Sequence, residues 1–252
     1  MVKFRETVLA LVQLAKTIIP RVPDKLRVYA IGDVHGRVDL LSALLARVDT
    51  DLIDFPVARS VEVFLGDYID RGSHPRQVLD LLIERRKRRT MVCLKGNHEA
   101  HAIRALSDPL LVPRWQEFGG ISTMLSYGAT PPETNDPAEL AAAVEELRHA
   151  LPESHSRFLD SLALSFTCGD FFLVHAGVRP GVSLALQSQR DLLWIREDFL
   201  SYQGSFDKII VHGHTPVREP DIRANRINID TRAYATGRLT CLVLEGDQMR
   251  FL

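Results

Sequence analysis

Short apolar runs alternate with helical patterns through the first half of the chain. After Pro23, each apolar run is followed by a polar loop with Gly, Asp or His, and then by apolar residues at helical spacing. This order is typical of an α/β fold. The predicted strands of this half cover residues 26–31, 61–65 and 90–94, and the predicted helices cover 38–48 and a segment that begins at Pro75.

The middle of the chain has helical spacing, and the last third is rich in short apolar runs. Residues from about 106 to 162 predict a helical insert, which is interrupted at Gly119-Gly120 and Gly128. Further strands are predicted over residues 164–167, 171–174, 208–211, 226–229, 239–244 and 249–252. We expect a single domain over residues 1–252, because this length is at the upper end of what one domain holds.

Residues 1–20 carry apolar positions at helical spacing, after two early basic residues. Glu6, Gln13 and Lys16 interrupt the apolar centre that a signal peptide needs, and no small-residue cleavage site follows. We predict an amphipathic helix docked on the domain. Membrane association is the alternative, but the polar face is not rich in lysine, so we expect no membrane partner.

Composition and charge narrow the class of protein. Apolar residues make up 46% and charged residues 25% of the chain, close to the averages of globular proteins. The formal net charge of -1 provides no field that attracts nucleic acid, so no nucleic-acid partner is expected. Cys93, Cys168 and Cys241 form no CxxC pair, which favours reduced thiols and a cytoplasmic location.

Polar side chains follow five of the predicted strands. The runs are GDVHG at 32–36, GDYIDRG at 66–72, GNHE at 96–99, His175, and HGH at 212–214. In open α/β sheets, ligands bind beyond the carboxyl ends of strands. Carboxylates together with imidazoles suit Mn, Fe or Zn better than Mg or Ca. Because these donors would over-coordinate one ion, we predict two divalent metal ions about 3.5 to 4 Å apart with a bridging carboxylate.

The runs GDVHG, GDYIDRG and GNHE, followed by later histidines, resemble the signature of the phosphoprotein phosphatases within the calcineurin-like metallophosphoesterases. The resemblance spans residues 32–231 and implies a central β-sandwich flanked by helices. It implies manganese as the activating metal, with iron or zinc as alternatives. The implied ligands are Asp33, His35 and Asp67 for the first ion, and Asp67, Asn97, His175 and His214 for the second.

The same resemblance assigns the catalytic side chains. A metal-bridging hydroxide attacks phosphorus directly in this family, and an alkoxide leaving group needs a proton. Asp70 and His98 are the implied acid pair, and Arg71 is the implied phosphate ligand because its guanidinium binds bidentately. Lys95 stands where the family often has arginine, and Arg196 is our choice for a further phosphate ligand.

Two functions follow from the resemblance, with phosphorylated proteins or small phosphoesters as substrates. The main interpretation is a bacterial serine/threonine protein phosphatase, with phosphotyrosine as a further substrate. The alternative is a dinucleoside polyphosphate hydrolase, a class that tends to lose the Asp-Arg of GDxxDRG and the Glu of GNHE. Asp70, Arg71 and Glu99 are retained here and favour the main interpretation. The complete ligand set argues against a catalytically silent scaffold.

One departure from the bacterial branch concerns a late loop. Glycine commonly follows Asp-Thr there, whereas Arg232 follows Asp230-Thr231 in this chain. Glycine tolerates backbone angles that arginine disfavours, so the conformation of this loop is left open by the sequence. His212 is expected to have a structural role and not to bind metal.

Overall fold

The computed structural model describes residues 19–252. The predicted amphipathic helix over residues 1–20 lies outside that range except for its last two residues, and it stays a prediction. Among the described helices, none has the length and apolar character needed to span a membrane. The single-domain organisation also stays a prediction.

Strands and helices alternate up to residue 93, as predicted. The strands are β1 (Leu26–Ile31), β2 (Arg59–Phe64), β3 (Met91–Cys93), β4 (Ser165–Cys168), β5 (Phe171–Val174), β6 (Ile209–His212), β7 (Asp221–Ile222), β8 (Arg226–Asn228), β9 (Cys241–Glu245) and β10 (Gln248–Phe251). The helices are α1 (Val38–Asp54), α2 (Pro75–Arg86), α3 (Asn97–Ser107), α4 (Val112–Glu117), α5 (Gly120–Ser126), α6 (Pro137–Ala150), α7 (Glu153–Asp160), α8 (Gln189–Trp194), α9 (Glu197–Leu200) and α10 (Ala233–Thr236). Short 3-10 helices cover Pro109–Leu111 and Leu184–Leu186.

The strands form two sheets, each with a parallel centre. The first has the order β10-β9-β1-β2-β3, and β1, β2 and β3 run parallel. The second has the order β4-β5-β6-β8-β7, and β5, β6 and β8 run parallel. The carboxyl ends of parallel strands meet at one edge of their sheet, so the loops that follow them lie together.

Strand β1 shows how the layers stack. Tyr29 and Ile31 belong to the core between the first sheet and its helices, whereas Val28 and Ala30 belong to the core between the two sheets. Because both faces are buried, the strand is an almost continuous apolar run and lacks apolar-polar alternation. A third cluster around Phe199 covers the outer face of the second sheet. The predicted α/β fold, a β-sandwich flanked by helices, is confirmed.

Two helix starts illustrate how local sequence sets the elements. Helix α2 begins at Pro75, whose ring fixes the backbone angle that a first helical residue needs and whose missing N–H costs nothing there. Helix α6 is capped by Asp136, whose side chain accepts hydrogen bonds from the N–H groups of Ala138 and Glu139 at 2.9 and 3.2 Å. Both starts were readable from the sequence.

Some boundaries differ from the sequence-based predictions. Helix α1 continues to Asp54, well past residue 48, because the buried carboxylate of Asp51 is paired with Arg27 at 3.1 Å and need not leave the inner face. Strand β7 was not predicted, since two residues carry no periodicity. His155 can be buried because Tyr127 and Asp80 satisfy its two ring nitrogens.

Candidate metal centre

The loops after β1, β2, β3, β5 and β6 meet at one edge of the sandwich. They bring together two groups of buried side chains whose ligand atoms lie within 4.8 Å of one another. The groups are His35, Asp67 and His98, and Asp67, His175 and His214. Each carboxylate and imidazole comes from the end of a different strand, which explains why the members are far apart in sequence.

Asp67 belongs to both groups and presents one oxygen to each. Its Oδ2 lies 3.5 Å from Nε2 of His35 and 3.8 Å from Nε2 of His98. Its Oδ1 lies 3.4 Å from Nε2 of His175. A carboxylate with its two oxygens turned toward separate donor groups has the geometry of a bridge between two cations.

The second group holds an unusual cluster of hydrogen-bond acceptors. Nδ1 of His175 donates to the carbonyl oxygen of Leu65 at 2.9 Å, which leaves a lone pair on Nε2. That lone pair faces Oδ1 of Asn97 at 2.8 Å, and Nδ1 of His214 lies 2.8 Å from the same oxygen. Two lone pairs that face each other repel unless a cation binds both. The lone pairs of these nitrogen and oxygen atoms therefore fit a bound metal ion.

The first group is oriented in the same way. Nδ1 of His35 donates to the carbonyl oxygen of Ile69 at 2.9 Å, so its Nε2 keeps a lone pair toward Asp67. Asp33 lies outside both three-residue groups, and its Oδ2 accepts from the N–H of His214 at 3.0 Å. Its Oδ1 is buried and has no hydrogen-bond partner in the described part of the chain, as expected of an atom that binds a cation.

Burial decides the protonation of these groups. It lowers the pKa of His35, His175 and His214 below the usual value, which keeps their rings neutral and able to bind metal. Burial, reinforced by Asp230 and Asp67, raises the pKa of Asp33.

Asp70 and His98 form a tight hydrogen-bonded pair beside the centre. Nδ1 of His98 lies 2.7 Å from Oδ2 of Asp70. Asp70 is fully buried, and it also accepts from Nε1 of Trp115 at 3.0 Å and from Oγ1 of Thr123 at 2.5 Å. Burial lowers the pKa of His98, but Asp67 and Asp70 outweigh it and raise the value above the usual range. The arrangement suits a proton donor.

Arg71 and Arg196 lie at the rim, on different sides. Nη2 of Arg71 donates to Nε2 of His98 at 3.2 Å, and its guanidinium stacks on the ring of Tyr234 at 4.8 Å. Arg196 is exposed, and its charge adds to burial in lowering the pKa of the two histidines of the second group. Both guanidinium groups are therefore available to an anion.

Lys95 stands apart from the other predicted substrate ligands. Its backbone N–H donates to the carbonyl oxygen of Ala163 at 2.7 Å. Within residues 19–252, its side chain forms no hydrogen bond or ion pair with the centre. Its assignment as a phosphate ligand stays a prediction that no contact supports.

Comparison with known proteins assigns the family. Residues 26–239 match the family model described as calcineurin-like phosphoesterase. The chain is a calcineurin-like metallophosphoesterase. Members of this family are hydrolases that depend on divalent metal, in agreement with the two donor groups. The resemblance inferred from GDVHG, GDYIDRG and GNHE is thereby confirmed.

Curated relatives of this metallophosphoesterase fall into two named activities. The bis(5'-nucleosyl)-tetraphosphatase PrpE (asymmetrical) of Halalkalibacterium halodurans is 30% identical, over 84% of this chain and 87% of the relative. The same enzyme of Anoxybacillus flavithermus is also 30% identical, over 84% and 88%. Serine/threonine-protein phosphatase 2 of Salmonella typhimurium is 27% identical, over 84% and 90%. These names favour the alternative function over the main interpretation.

Solved structures support the fold of the metallophosphoesterase. A cold-active protein-tyrosine phosphatase of a psychrophilic Shewanella species has a TM-score of 0.54 and 16% identity, with 92% of this chain and 81% of the other covered. A metallophosphoesterase from Sphaerobacter thermophilus has a TM-score of 0.50 and 20% identity, with 89% and 87% covered. At these identities the similarity concerns the fold alone.

Glu99 positions the metallophosphoesterase centre, a role that the sequence did not reveal. Its side chain is buried at the start of α3 and spans back to the loop after β2. Oε2 accepts from the N–H groups of Asp67 and Gly96 at 2.9 Å each, and Oε1 accepts from the N–H of Tyr68 at 2.7 Å. Glu99 thus ties the GNHE run to the GDYIDRG run. The only sign of this role in the sequence was that Glu99 belongs to the GNHE run.

Trp115 and Thr123 were missed for a different reason. They lie in α4 and α5, within the predicted helical insert, and reach Asp70 across 45 and 53 residues of sequence. Tryptophan at helical spacing is read as core, and its Nε1 gives no sign of its partner. Only the packing of these helices against the β2 loop reveals that they hold the carboxylate.

The backbone is strained at several residues of the centre. Left-handed φ angles occur at His35 (45°), Asp67 (52°), Asp70 (69°), Arg71 (66°) and His214 (62°). Each such angle costs a non-glycine residue about 1 to 3 kcal/mol and persists only where surrounding contacts impose it. These backbone angles turn the side chains toward one point. Strained backbone of this kind occurs often at functional sites.

Two glycines allow backbone and carboxylate to approach closely. A Cβ at Gly96 would lie 2.1 Å from Oδ1 of Asp67, and one at Gly213 would lie 2.1 Å from Oδ1 of Asp33. These distances exclude any side chain. The glycines of GNHE and of HGH are therefore needed for the position of the two carboxylates.

The loop that was left open by the sequence has a glycine-like conformation despite its arginine. Arg232 has φ 61°, and its N–H donates to Oδ1 of Asp230 at 2.8 Å. The aspartate thus holds a turn that glycine would adopt without strain. His212 is buried against Phe199, with 4.9 Å between ring centroids, and lies outside both donor groups. Its structural role stays a prediction.

Proposed function

We propose that this metallophosphoesterase hydrolyses dinucleoside polyphosphates, with diadenosine tetraphosphate as the representative substrate. The observation that carries the proposal is the similarity to the two PrpE tetraphosphatases, which extends over 84% of this chain and almost the whole of each relative. The ranking differs from the sequence-based one, in which retention of Asp70, Arg71 and Glu99 favoured a phosphomonoester substrate.

The proposed ligands are the ones that the sequence predicted. The first ion would be held by Asp33, His35 and Asp67, and the second by Asp67, Asn97, His175 and His214. When bound, two divalent ions, with manganese as the proposed activator, would lower the pKa of water and neutralise phosphoryl oxygens. The two oxygens of Asp67 and the lone pairs on the histidine nitrogens support this assignment.

In the proposed reaction, the oxygen of water adds to one phosphorus atom and the bond from that phosphorus to a bridging oxygen breaks. Diadenosine tetraphosphate and water give ATP and AMP. Arg71 and Arg196 hold phosphoryl oxygens, which releases Nε2 of His98 from its contact with Arg71, and the freed nitrogen takes up a proton from solvent. His98 then gives this proton to the departing oxygen, and solvent takes a proton of the attacking water.

Parallel assays test the proposal. Diadenosine tetraphosphate and a phosphoserine peptide are supplied separately to the manganese-reconstituted enzyme, and products are separated by chromatography. We expect a higher kcat/KM for the dinucleotide, with ATP and AMP in equal amounts. Faster turnover of the phosphopeptide would overturn the proposal.

A serine/threonine protein phosphatase is the second candidate, and the Asp70–His98 pair favours it. An alkoxide is a more basic leaving group than a phosphate, so it depends more on the proton donor that this 2.7 Å pair provides. The Salmonella relative has this named activity. A cytoplasmic location is proposed for either function, since the three cysteines are free and buried.

A further inference from the structure

A cavity of about 400 Å³ opens beside the metal centre, between α3 and α8. Its walls include the rings of His101 and Trp194 and the side chains of Arg104, Gln189 and Arg190. This volume lies within the range of small-molecule sites. Neither the metal ligands nor the acid pair line the cavity, so its aromatic wall is not explained by the chemistry at the ions.

The aromatic wall is held in place from behind. The ring of His101 stacks on Phe118 with centroids 4.8 Å apart and an angle of 24°, and Trp194 meets His101 edge to face at 4.8 Å. Arg114 covers Phe118 at 4.6 Å. Phe118 is not part of the cavity lining, so His101 and Trp194 are the rings that face the cavity.

The wall also adjoins the reacting centre. The Trp194 ring centroid is 6.3 Å from that of His214, and the Phe118 centroid is 6.1 Å from that of His98. Trp194 borders a second cavity as well, of about 490 Å³, in which Arg196 lies. A group stacked on Trp194 is thus next to both a metal ligand and a phosphate-binding arginine.

The positive charge of the 400 Å³ cavity favours an anionic ligand. Its lining includes two arginines and no carboxylate among the described residues. Burial lowers the pKa of His101, which leaves a neutral ring that stacks without repelling the arginines. Planar aromatic rings with guanidinium groups at the rim are the combination that binds a nucleobase and its phosphates.

On the basis of the proposed function, we propose that this cavity binds the adenine of the nucleotide whose phosphate is attacked, stacked on Trp194 and bordered by His101. Gln189 faces the hydrogen-bonding edge of the base, and Arg190 and Arg104 neutralise the phosphate chain. The Trp194 ring lies 6.3 Å from the ring of His214. A base stacked on Trp194 is therefore that of the nucleotide released as AMP. Trp194 and His101 are then binding residues and not catalytic ones.

Competition against p-nitrophenyl phosphate tests this site without requiring hydrolysis of a dinucleotide. AMP and ribose 5-phosphate carry the same phosphomonoester, and only AMP has a base. We expect AMP to inhibit at a concentration about tenfold or more below that of ribose 5-phosphate, because stacking on an aromatic side chain strengthens binding by this order. Trp194→Leu should bring the two constants within about twofold of each other, and Trp194→Phe should restore the difference.

Phe55→Leu is the matched control, since Phe55 is 61% exposed and lies outside both cavities. It should keep the wild-type ratio of the two inhibition constants. A direct measurement uses fluorescence, because the chain has two tryptophans and Trp115 is buried behind Asp70. AMP should quench the emission of the wild type and leave that of Trp194→Phe unchanged.

The outcomes separate this inference from the proposed function. Equal inhibition by AMP and ribose 5-phosphate in the wild type, or an unchanged ratio in Trp194→Leu, would overturn the base site even if the dinucleotide is hydrolysed. A large AMP preference that disappears in Trp194→Leu supports the base site even if the phosphopeptide is the better substrate. If Trp194→Leu weakens a phosphopeptide and not AMP, the cavity takes a peptide side chain and the inference is wrong.

Discussion

The two sheets contribute to the centre in different ways. The loops after β1, β2 and β3, here called the first half, carry Asp67, Asp70 and His98, which are buried and enclosed by Glu99 and Trp115. The loops after β5, β6 and β8, together with α8, are called the second half. It combines buried His175 and His214 with the exposed Arg196 and the half-buried Trp194.

In the proposed function, this difference separates the residues of the reaction from those of substrate recognition. The first half fixes the Asp70–His98 pair by hydrogen bonds to the carboxylate of Asp70. The second half supplies buried histidines as metal donors. Next to them it has an open surface of arginines and an aromatic ring. Substitutions in the first half should therefore change the reaction with every phosphoester, whereas those above the second half should change the choice among substrates.

Asp67→Ala should have the largest effect, because Asp67 is the residue that joins the two halves. Loss of the shared carboxylate removes one oxygen from each donor group, so hydrolysis of p-nitrophenyl phosphate should fall to the uncatalysed background. Bound manganese, measured by mass spectrometry after desalting, should fall with it. The control is Asp39→Ala, an exposed carboxylate on α1. Metal-dependent activity in Asp67→Ala equal to that of the wild type would contradict an enzymatic role for the centre.

His98→Ala tests whether the first half provides the proton. Manganese should be retained, while hydrolysis of an alkyl phosphate should fall by about 10² to 10⁴. Hydrolysis of an aryl phosphate should fall much less, since phenolate leaves with less help from an acid. Steady-state rates on serine phosphate and p-nitrophenyl phosphate measure the difference. An equal loss on both substrates would remove His98 from the role of acid.

Glu99→Gln tests how far the first half depends on its clamp. The amide keeps the shape of the side chain but turns an NH₂ group toward backbone N–H groups that now donate to a carboxylate. Manganese affinity should weaken by about 10- to 100-fold, as for other residues that orient metal ligands. Calorimetric titration measures this affinity. Glu84→Gln, an exposed position on α2, should bind manganese as the wild type does.

Arg232→Gly should have the smallest effect and concerns the second half. Relief of the left-handed angle at residue 232 stabilises the fold by about 1 to 2 kcal/mol, and the greater freedom of glycine in the unfolded chain offsets about 0.4 to 1 kcal/mol. Urea unfolding should therefore show a net gain of between about 0 and 1.6 kcal/mol. Lys25→Gly, also left-handed with φ 61°, is a reference far from the centre. A loss of stability at 232 alone would show that the arginine side chain outweighs the strain.

Much of the fold was predictable because its signals are local. Strands β1 and β5 were predicted at their observed bounds, since each is an apolar run ended by a glycine or histidine loop. The end of α1 was not predictable, because Asp51 looks like a surface residue until Arg27 is placed opposite it. The two residues of β7 form a strand only because they pair with β8.

The candidate site was predictable to the extent that its residues follow strands. Asp67, His175 and His214 follow apolar runs and were assigned as ligands by the family resemblance, and the fold brings them within 4.8 Å. Lys95 was proposed because it stands where the family often has arginine, yet its side chain makes no contact with the centre in the described residues. Position after a strand places a residue at the correct edge of the sheet, but the direction of its side chain depends on loop angles that sequence does not give.

The sequence by itself determined the family, the order of the strands and the chemistry that the strand ends can offer, because residue type and spacing are properties of a single chain segment. Tertiary structure decided which side chains act together. Glu99, Trp115 and Thr123 became positioning residues only when distant segments packed around Asp67 and Asp70. The aromatic wall at His101 and Trp194 likewise exists only where α3 meets α8, because stacking depends on distances and ring angles that no single segment contains.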